Sequence, residues 1–180
     1  MDKILEFSKK IIKNKIQNND VCIDMTCGRG NDTHYLAPLC DKVLSFDIQE
    51  EAIKSAKELN SEYKNIIYIN DSHANVDKYV NEKIGIVIYN LGYLPKGDHN
   101  ITTHLEEVII SLDKVLKLLR KNGVIIITLY PGHEEGLRES VGLSNYLMKL
   151  NQKEYEVLKY EFVNQIHNPP YLYIIEKLRD

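Results

Sequence analysis

The sequence has little of what would place it in several large protein classes. Its three cysteines, Cys22, Cys27 and Cys40, are an odd set with no C-x-x-C spacing. Neither a disulfide framework nor a zinc site is therefore indicated. No apolar run is long enough to span a bilayer, since the stretches near Ile84 and Val124 are strand-sized. The first residues, Met1-Asp-Lys-Ile-Leu-Glu-Phe-Ser-Lys-Lys10, carry acids and lysines where a signal peptide needs an apolar centre. Cytoplasmic localisation with reduced thiols, and no membrane partner, is the expectation. Basic charge is not in excess either, and the formal net charge of -3 speaks against a uniformly basic nucleic-acid binder. A local basic patch would still suffice for RNA. No internal repeat, low-complexity segment or linker composition interrupts the 180 residues. One domain over residues 1–180 is expected, large enough for a substantial core.

What is present is an ordinary globular balance, 43% hydrophobic and 27% charged, arranged in a clear alternation. Ile4, Leu5, Ile11, Ile12 and Ile16 recur at helical spacing between lysines, which predicts an amphipathic helix over 3–17, closing the N-terminal segment 1–17. Val21 to Met25 reads as a buried strand, and a glycine turn leads into a second helix that Pro38 and Cys40-Asp interrupt. Strands follow at 42–47, 65–70, 85–90 and 124–130, with helices at 50–59, 76–80 and 103–119 between them. Asn122-Gly marks the end of the last of these helices. A further helix runs from the loop Pro131-Gly-His-Glu-Glu135 to about Leu150, and strands at 155–162 and 171–176 complete the chain. Five alternations demand a parallel sheet with right-handed crossovers. The last two strands lack a full helix between them and must pair antiparallel. The expected fold is α/β and Rossmann-like: seven strands, mostly parallel, with helices on both faces.

The chemistry gathers at the predicted strand ends. In open α/β sheets a ligand occupies the crevice at the carboxyl ends of the strands, and Asp24, Asp47, Asp71 and Asn90 each stand at or just past such an end. Gly28 and Gly30 lack a Cβ, so the backbone there can turn tightly and approach a ligand. Asn31 or Asp32 can cap the following helix and leave its first amides facing that ligand. Asp47 is placed to accept from both hydroxyls of a ribose, and Asp71-Ser72-His73 to address an adenine edge. The dinucleotide fingerprint G-x-G-x-x-G would run from Gly28 to Thr33, but Thr33 replaces its third glycine. Asp24 would repel a pyrophosphate and attract the cationic amino group of methionine. S-adenosylmethionine is favoured over NAD.

Asn90-Leu-Gly-Tyr93 indicates what the cofactor faces. An amide at a strand tip followed by exposed carbonyls can hold an amine by its N–H groups, leaving the nitrogen lone pair for a methyl sulfonium. Tyr93 can stack on a base; a βα turn with a packed tyrosine is the alternative. His133 should also face the crevice, as proton acceptor or substrate contact, or else as a surface residue of a helix-capping loop. Asn164, Gln165 and Asn168-Pro-Pro170 lie in a loop expected over the substrate side, with an ordinary hairpin as the alternative. The lysines at 9, 10, 13 and 15, and Lys114, Lys117, Arg120 and Lys121, form basic groups that also read as solvated helix faces. His34, His99, His104 and His167 lack metal-ligand spacing, and no metal is expected.

These blocks resemble a known family end to end. Asp24-Met-Thr-Cys-Gly-Arg-Gly-Asn-Asp-Thr33 is similar to the D-x-T-x-G-x-G-x-D-T signature of small bacterial class I methyltransferases once labelled rRNA methylases. Tyr89-Asn-Leu-Gly-Tyr-Leu-Pro-Lys-Gly-Asp98, Tyr130-Pro-Gly-His-Glu-Glu135 and the Asn-Pro-Pro stretch match the same family. The resemblance implies conversion of 5-aminomethyl-2-thiouridine to 5-methylaminomethyl-2-thiouridine at the tRNA wobble position, with the anticodon stem-loop as partner. By it, Asp24, Thr26, Cys27, Gly28, Gly30, Asn31, Asp32 and Thr33 fall in the cofactor loop. Asp47, Ile48 and Gln49 hold ribose and adenine, with Asp71, Ser72 and His73 alongside. Asn90, Leu91, Gly92 and Tyr93 border the transferred methyl, and Lys96 falls among the substrate contacts. Arg29 stands where relatives often have a small polar residue. Two other readings stay open: a methyltransferase for rRNA or a small-molecule amine, and a non-catalytic nucleoside- or RNA-binding module. A homodimer is one expectation, because a long RNA footprint is hard to build on so small a domain.

Overall fold

Runs rich in isoleucine and valine build a single seven-stranded sheet in the computed structural model, which describes residues 1–91, 105–132 and 134–180, the side chains of Glu134 and Glu135 excepted. The strands are β1 Val21–Asp24, β2 Lys42–Phe46, β3 Ile66–Ile69, β4 Ile84–Leu91, β5 Leu119–Leu129, β6 Tyr155–Tyr160 and β7 Tyr171–Lys177. Their order is β3-β2-β1-β4-β5-β7-β6. The first five are parallel, and β7 runs antiparallel to both β5 and β6. The seven-stranded, mostly parallel α/β fold expected from the alternation is the fold observed.

Helices cover both faces: α1 Ile4–Lys15, α2 Asn31–Leu36, α3 Glu50–Leu59, α4 Leu105–Leu118 and α5 Glu134–Leu147. Because side chains alternate along a strand, each strand feeds two cores. Ile23, Leu44, Val87 and Tyr89 pack with Val108 and Leu112 of α4 and Leu143 of α5. Cys22, Val43, Ile86 and Ile88 pack on the opposite face with Ile12 of α1 and Leu36 of α2. The order of strands reverses direction between β1 and β4, and in open α/β sheets the ligand crevice lies at the carboxyl ends of such a pair.

The amino edge of the sheet is closed by an ion pair. Asp20, just before β1, receives two 2.6 Å bonds from Arg120, and Arg120 also donates to the Lys15 carbonyl at 2.7 Å. Gly85 makes room for this clasp, since a Cβ there would lie 2.1 Å from the Asp20 carboxyl carbon. As α1 ends at this edge, its first turns lie toward the carboxyl edge.

Several boundaries differ from the sequence expectation. The helix expected to end at Asn122-Gly stops at Leu118, and Leu119 already pairs with Ile84. Residues 120–123 bulge out before Val124 resumes pairing with Ile86, because Arg120 is drawn to Asp20 and Asn122 takes a φ of 60°. The segment expected as a helix over 76–80 is a 3-10 turn, His73–Lys78, started by the Ser72 hydroxyl accepting from the Ala74 amide. The expected strand over 155–162 ends at Tyr160, and α5 ends at Leu147 rather than near Leu150.

Candidate active site

The turn after β1 is strapped to both neighbouring strands. The Met25 amide donates to Ile88 of β4 at 2.9 Å, and the Cys27 amide to Phe46 of β2 at 2.8 Å. Gly28 and Gly30 then take positive φ of 51° and 83°, where a Cβ is disfavoured. The two glycines do different work. A Cβ on Gly30 would meet Ala56 Cβ at 2.8 Å and Asn60 Nδ2 at 2.7 Å, so its bareness lets the turn pack on α3 rather than approach a ligand. Gly28 gives its amide to Asp47 Oδ2 at 2.8 Å.

Alternation puts Asp24, Ser45 and Asn90 on the same face of three adjacent strands, opposite the first turn of α2. Thr33 of α2 donates to Asp24 Oδ2 at 2.7 Å and lies 2.6 Å from Ser45 Oγ. Asp24 Oδ1 accepts from the Thr26 amide at 3.2 Å, and the Thr26 hydroxyl accepts from the Asn90 amide at 2.7 Å. Asn90 Nδ2 donates to Asp32. Asp24, Thr26, Asp32, Thr33 and Asn90 thus form one connected network.

Their electrostatics are unusual for a surface crevice. Burial, and next the charge of Asp32, pushes the Asp24 carboxyl above its ordinary range. Burial raises Asp32 too, opposed by the Asn90 bond and the charge of Lys9. Asp47 is also raised by burial, against the Gln49 and Gly28 amides. Burial pushes the Cys27 thiol up to about 12, which makes it inert.

Asp24 and Thr33 are fully buried, 0% exposed, so the Asp24 carboxylate offered to an amino group is instead consumed inside the turn. The cap of α2 is Gly30, and Asn31 and Asp32 are its first helical residues rather than caps. Asp71 is bound within its own turn, accepting from Ser72, Asn75 and Tyr79; these bonds hold its carboxyl below the ordinary range. His73 is buried against Tyr89, its Nδ1 meets no partner among the described residues, and burial lowers its imidazole to about 4. Ile48 is half exposed beside Asp47, and Leu91 is buried. Asn164, Gln165 and Asn168 are exposed in the β6–β7 loop, at the carboxyl edge because Tyr171 pairs with Leu129. Gly92, Tyr93, Lys96 and His133 lie outside the described residues.

Tyr130, which the sequence analysis left out of the site, follows β5 at the same edge. Burial and the charge of Asp32 raise its phenol, so it stands within electrostatic reach of that acid. Lys9 of α1 joins it, 4.9 Å over the Tyr35 ring. A tyrosine at the fifth strand tip was the available signal.

The crevice suits a nucleoside-bearing cation. Asp47 keeps accepting capacity at a part-exposed position, Ile48 offers an apolar wall to a base, and Asp32 offers negative charge. The sheet order and the position of this edge are those of a class I methyltransferase. Residues 43–176 match the family described as "Putative rRNA methylase", and the chain belongs to it. A Clostridium thermocellum structure described in the same words is 36% identical, with a TM-score of 0.96 and 99% of each chain covered. A Streptococcus mutans methyltransferase solved with SAH is 34% identical, TM-score 0.93, again over 99% of each chain. Arabidopsis thaliana has a chloroplastic tRNA (mnm(5)s(2)U34)-methyltransferase that is 27% identical over 97% of this chain and 70% of its own length. The protein is a methyltransferase whose methyl donor is S-adenosylmethionine.

Proposed function

We propose that the protein methylates the 5-aminomethyl group of 5-aminomethyl-2-thiouridine at the wobble position of tRNA. The observation that carries this reading is the similarity, over nearly the whole chain, to the Arabidopsis enzyme of that name. The chemistry of the crevice supports it. An amide at the tip of β4 and a carboxylate beside it, Asn90 and Asp32, favour a nucleophile that brings N–H groups and positive charge.

The bound donor supplies a methyl group on a cationic sulfur, already activated for transfer. The chain's own task is alignment. Asp47, Ile48 and Gln49 hold the nucleoside end, and Asp71, Ser72 and His73 border the base. Asn90 would accept an N–H of the substrate amine, which leaves the lone pair of the amine nitrogen free for the donor's methyl group. The amine reaches this state after its ammonium hands a proton to water, and the Asp32 carboxyl beside Asn90 helps bring the cation to the site beforehand. Gly92, Tyr93, Lys96, His133, Asn164, Gln165 and Asn168 are the proposed contacts to the RNA. No charge build-up requires a metal.

The test is to incubate the pure protein with labelled donor and tRNA that lacks the final methyl, then digest and identify the labelled nucleoside. Label in 5-methylaminomethyl-2-thiouridine is expected. Label in rRNA alone, or turnover of free amines without RNA, would overturn the substrate assignment.

A further inference from the structure

The Asn90 side chain can be useful to an amine in only one of its two orientations. Its oxygen accepts an N–H, whereas its NH2 group would push one away. Rotating the amide by half a turn exchanges them at almost no steric cost, so something must choose.

The backbone does not choose. Asn90 is fixed there by its pairing with Thr128 and by the hydrogen bond that its backbone N–H donates to the Thr26 hydroxyl, and neither restrains the end of the side chain. Asp32 does choose. An ionised carboxylate only accepts, and it takes the bond from Nδ2. Oδ1 is thereby turned the other way, and among the described residues no donor meets it. Among the described residues, four groups act on Asp32 from the elements around it: Asp24 from β1, Asn90 from β4, Tyr130 after β5 and Lys9 from α1. Lys9 is the one cation among these four, and its charge, like the Asn90 bond, opposes the upward push that burial gives the Asp32 carboxyl.

We propose that Asp32 is a positioning residue which locks the Asn90 amide with its oxygen toward the crevice, so that the site selects nucleophiles carrying an N–H donor. This rests on the amine reading above, and it adds the residue that enforces it. A nucleophile without an N–H, such as a tertiary amine, would find an acceptor it cannot satisfy.

The test is a double-mutant cycle with Asp32→Ala, Asn90→Ala and both together. Turnover is measured on tRNA lacking the modification, beside SAH affinity by calorimetry and thermal stability. Asp32→Ala should lower kcat about tenfold or more, the range expected for a charge-assisted bond, and leave SAH affinity within about threefold. In the Asn90→Ala background the same change should cost less than about twofold, because the group it acts through is gone. Equal losses in both backgrounds would overturn the proposal, as would loss of SAH binding in Asp32→Ala. A readout without turnover separates this from the substrate assignment. In the 15N-labelled, SAH-bound wild type, the Asn90 side-chain NH2 should show one set of resonances protected from exchange, and lose that protection in Asp32→Ala. If wild type fails to methylate tRNA yet shows this protection, the substrate reading falls and the lock stands. If the protection is absent from wild type, the lock falls.

Discussion

Replacing Gly30 by alanine separates two reasons for a glycine in this turn. The residue sits at φ 83°, and a left-handed conformation costs an L-residue about 1–2 kcal/mol. Its new Cβ would also fall 2.8 Å from Ala56 Cβ, 3.0 Å from Ala56 Cα and 2.7 Å from Asn60 Nδ2. Overpacking of this kind costs about 1–3 kcal/mol. The two together come to about 2–5 kcal/mol, and at this chain length each kcal/mol lowers Tm by about 2–4 °C. Gly30→Ala should therefore melt roughly 5–15 °C below wild type, followed by circular dichroism and by urea titration. The diagnostic step is a second change, Ala56→Gly, which removes one of these three atoms, Ala56 Cβ, and by itself costs about 1 kcal/mol of helix propensity. In that background Gly30→Ala should be milder by about 1–2 kcal/mol, the conformational part and the contacts with Asn60 Nδ2 and Ala56 Cα remaining. Strictly additive effects would refute the packing argument and return Gly30 to the ligand side of the turn.

Asp20→Asn leaves Arg120, whose side chain is 15% exposed, facing a neutral amide. A loss of about 3 kcal/mol is expected for breaking such a pair, with SAH affinity unchanged by calorimetry; an unchanged urea midpoint would show that the clasp does not stabilise the fold. Asp24 is raised above the ordinary carboxylate range, so the folded chain holds its proton more tightly than the unfolded chain does. The stability this contributes is present in acid and lost as pH rises from about 4 through the raised value. Asp24→Asn lacks the loss, so its urea midpoint should gain on wild type between pH 4.5 and pH 8; a constant offset would contradict the burial argument. Asp47→Ala should weaken SAH binding roughly 10- to 100-fold by removing acceptors for ribose hydroxyls, and unchanged affinity would exclude Asp47 from the nucleoside site.

Much of the architecture was legible because it depends on local pattern. The isoleucine and valine runs, the helical spacing of Ile4, Ile11 and Ile12, and the polar residues Asp24, Asp47, Asp71 and Asn90 at or near the ends of the first four strands are all read along the chain. What escaped depends on distant partners. Nothing near Leu118 shows that the helix must stop there, because the cause is Asp20, a hundred residues away, pulling on Arg120. The site shows the same limit. Asp24, Gly28, Gly30 and Asn90 were recognisable as a cluster, yet their division of labour was not. Whether a carboxylate faces a ligand or a threonine is decided by the approach of α2 and α3. Thr33 and Ala56 therefore turned an expected ligand contact at Asp24 and at Gly30 into internal support. Tyr130 shows the reverse case, an aromatic at a strand tip that passes for a core residue until Asp32 is placed beside it.

The shared face of Asp24, Ser45 and Asn90 carries a consequence for how the chain assembles. Sliding β1 by one position would present Ile23 or Met25 to α2 and drive the Asp24 carboxylate into the isoleucine- and valine-lined core beneath α4. The misthreaded sheet would have no crevice chemistry and would also be the costlier one to hold. Catalytic competence and correct threading are thus the same event, so the specific activity of a refolded sample reports the fraction of molecules whose central strands found their proper partners. Proofreading of the fold is written into the reactive groups themselves.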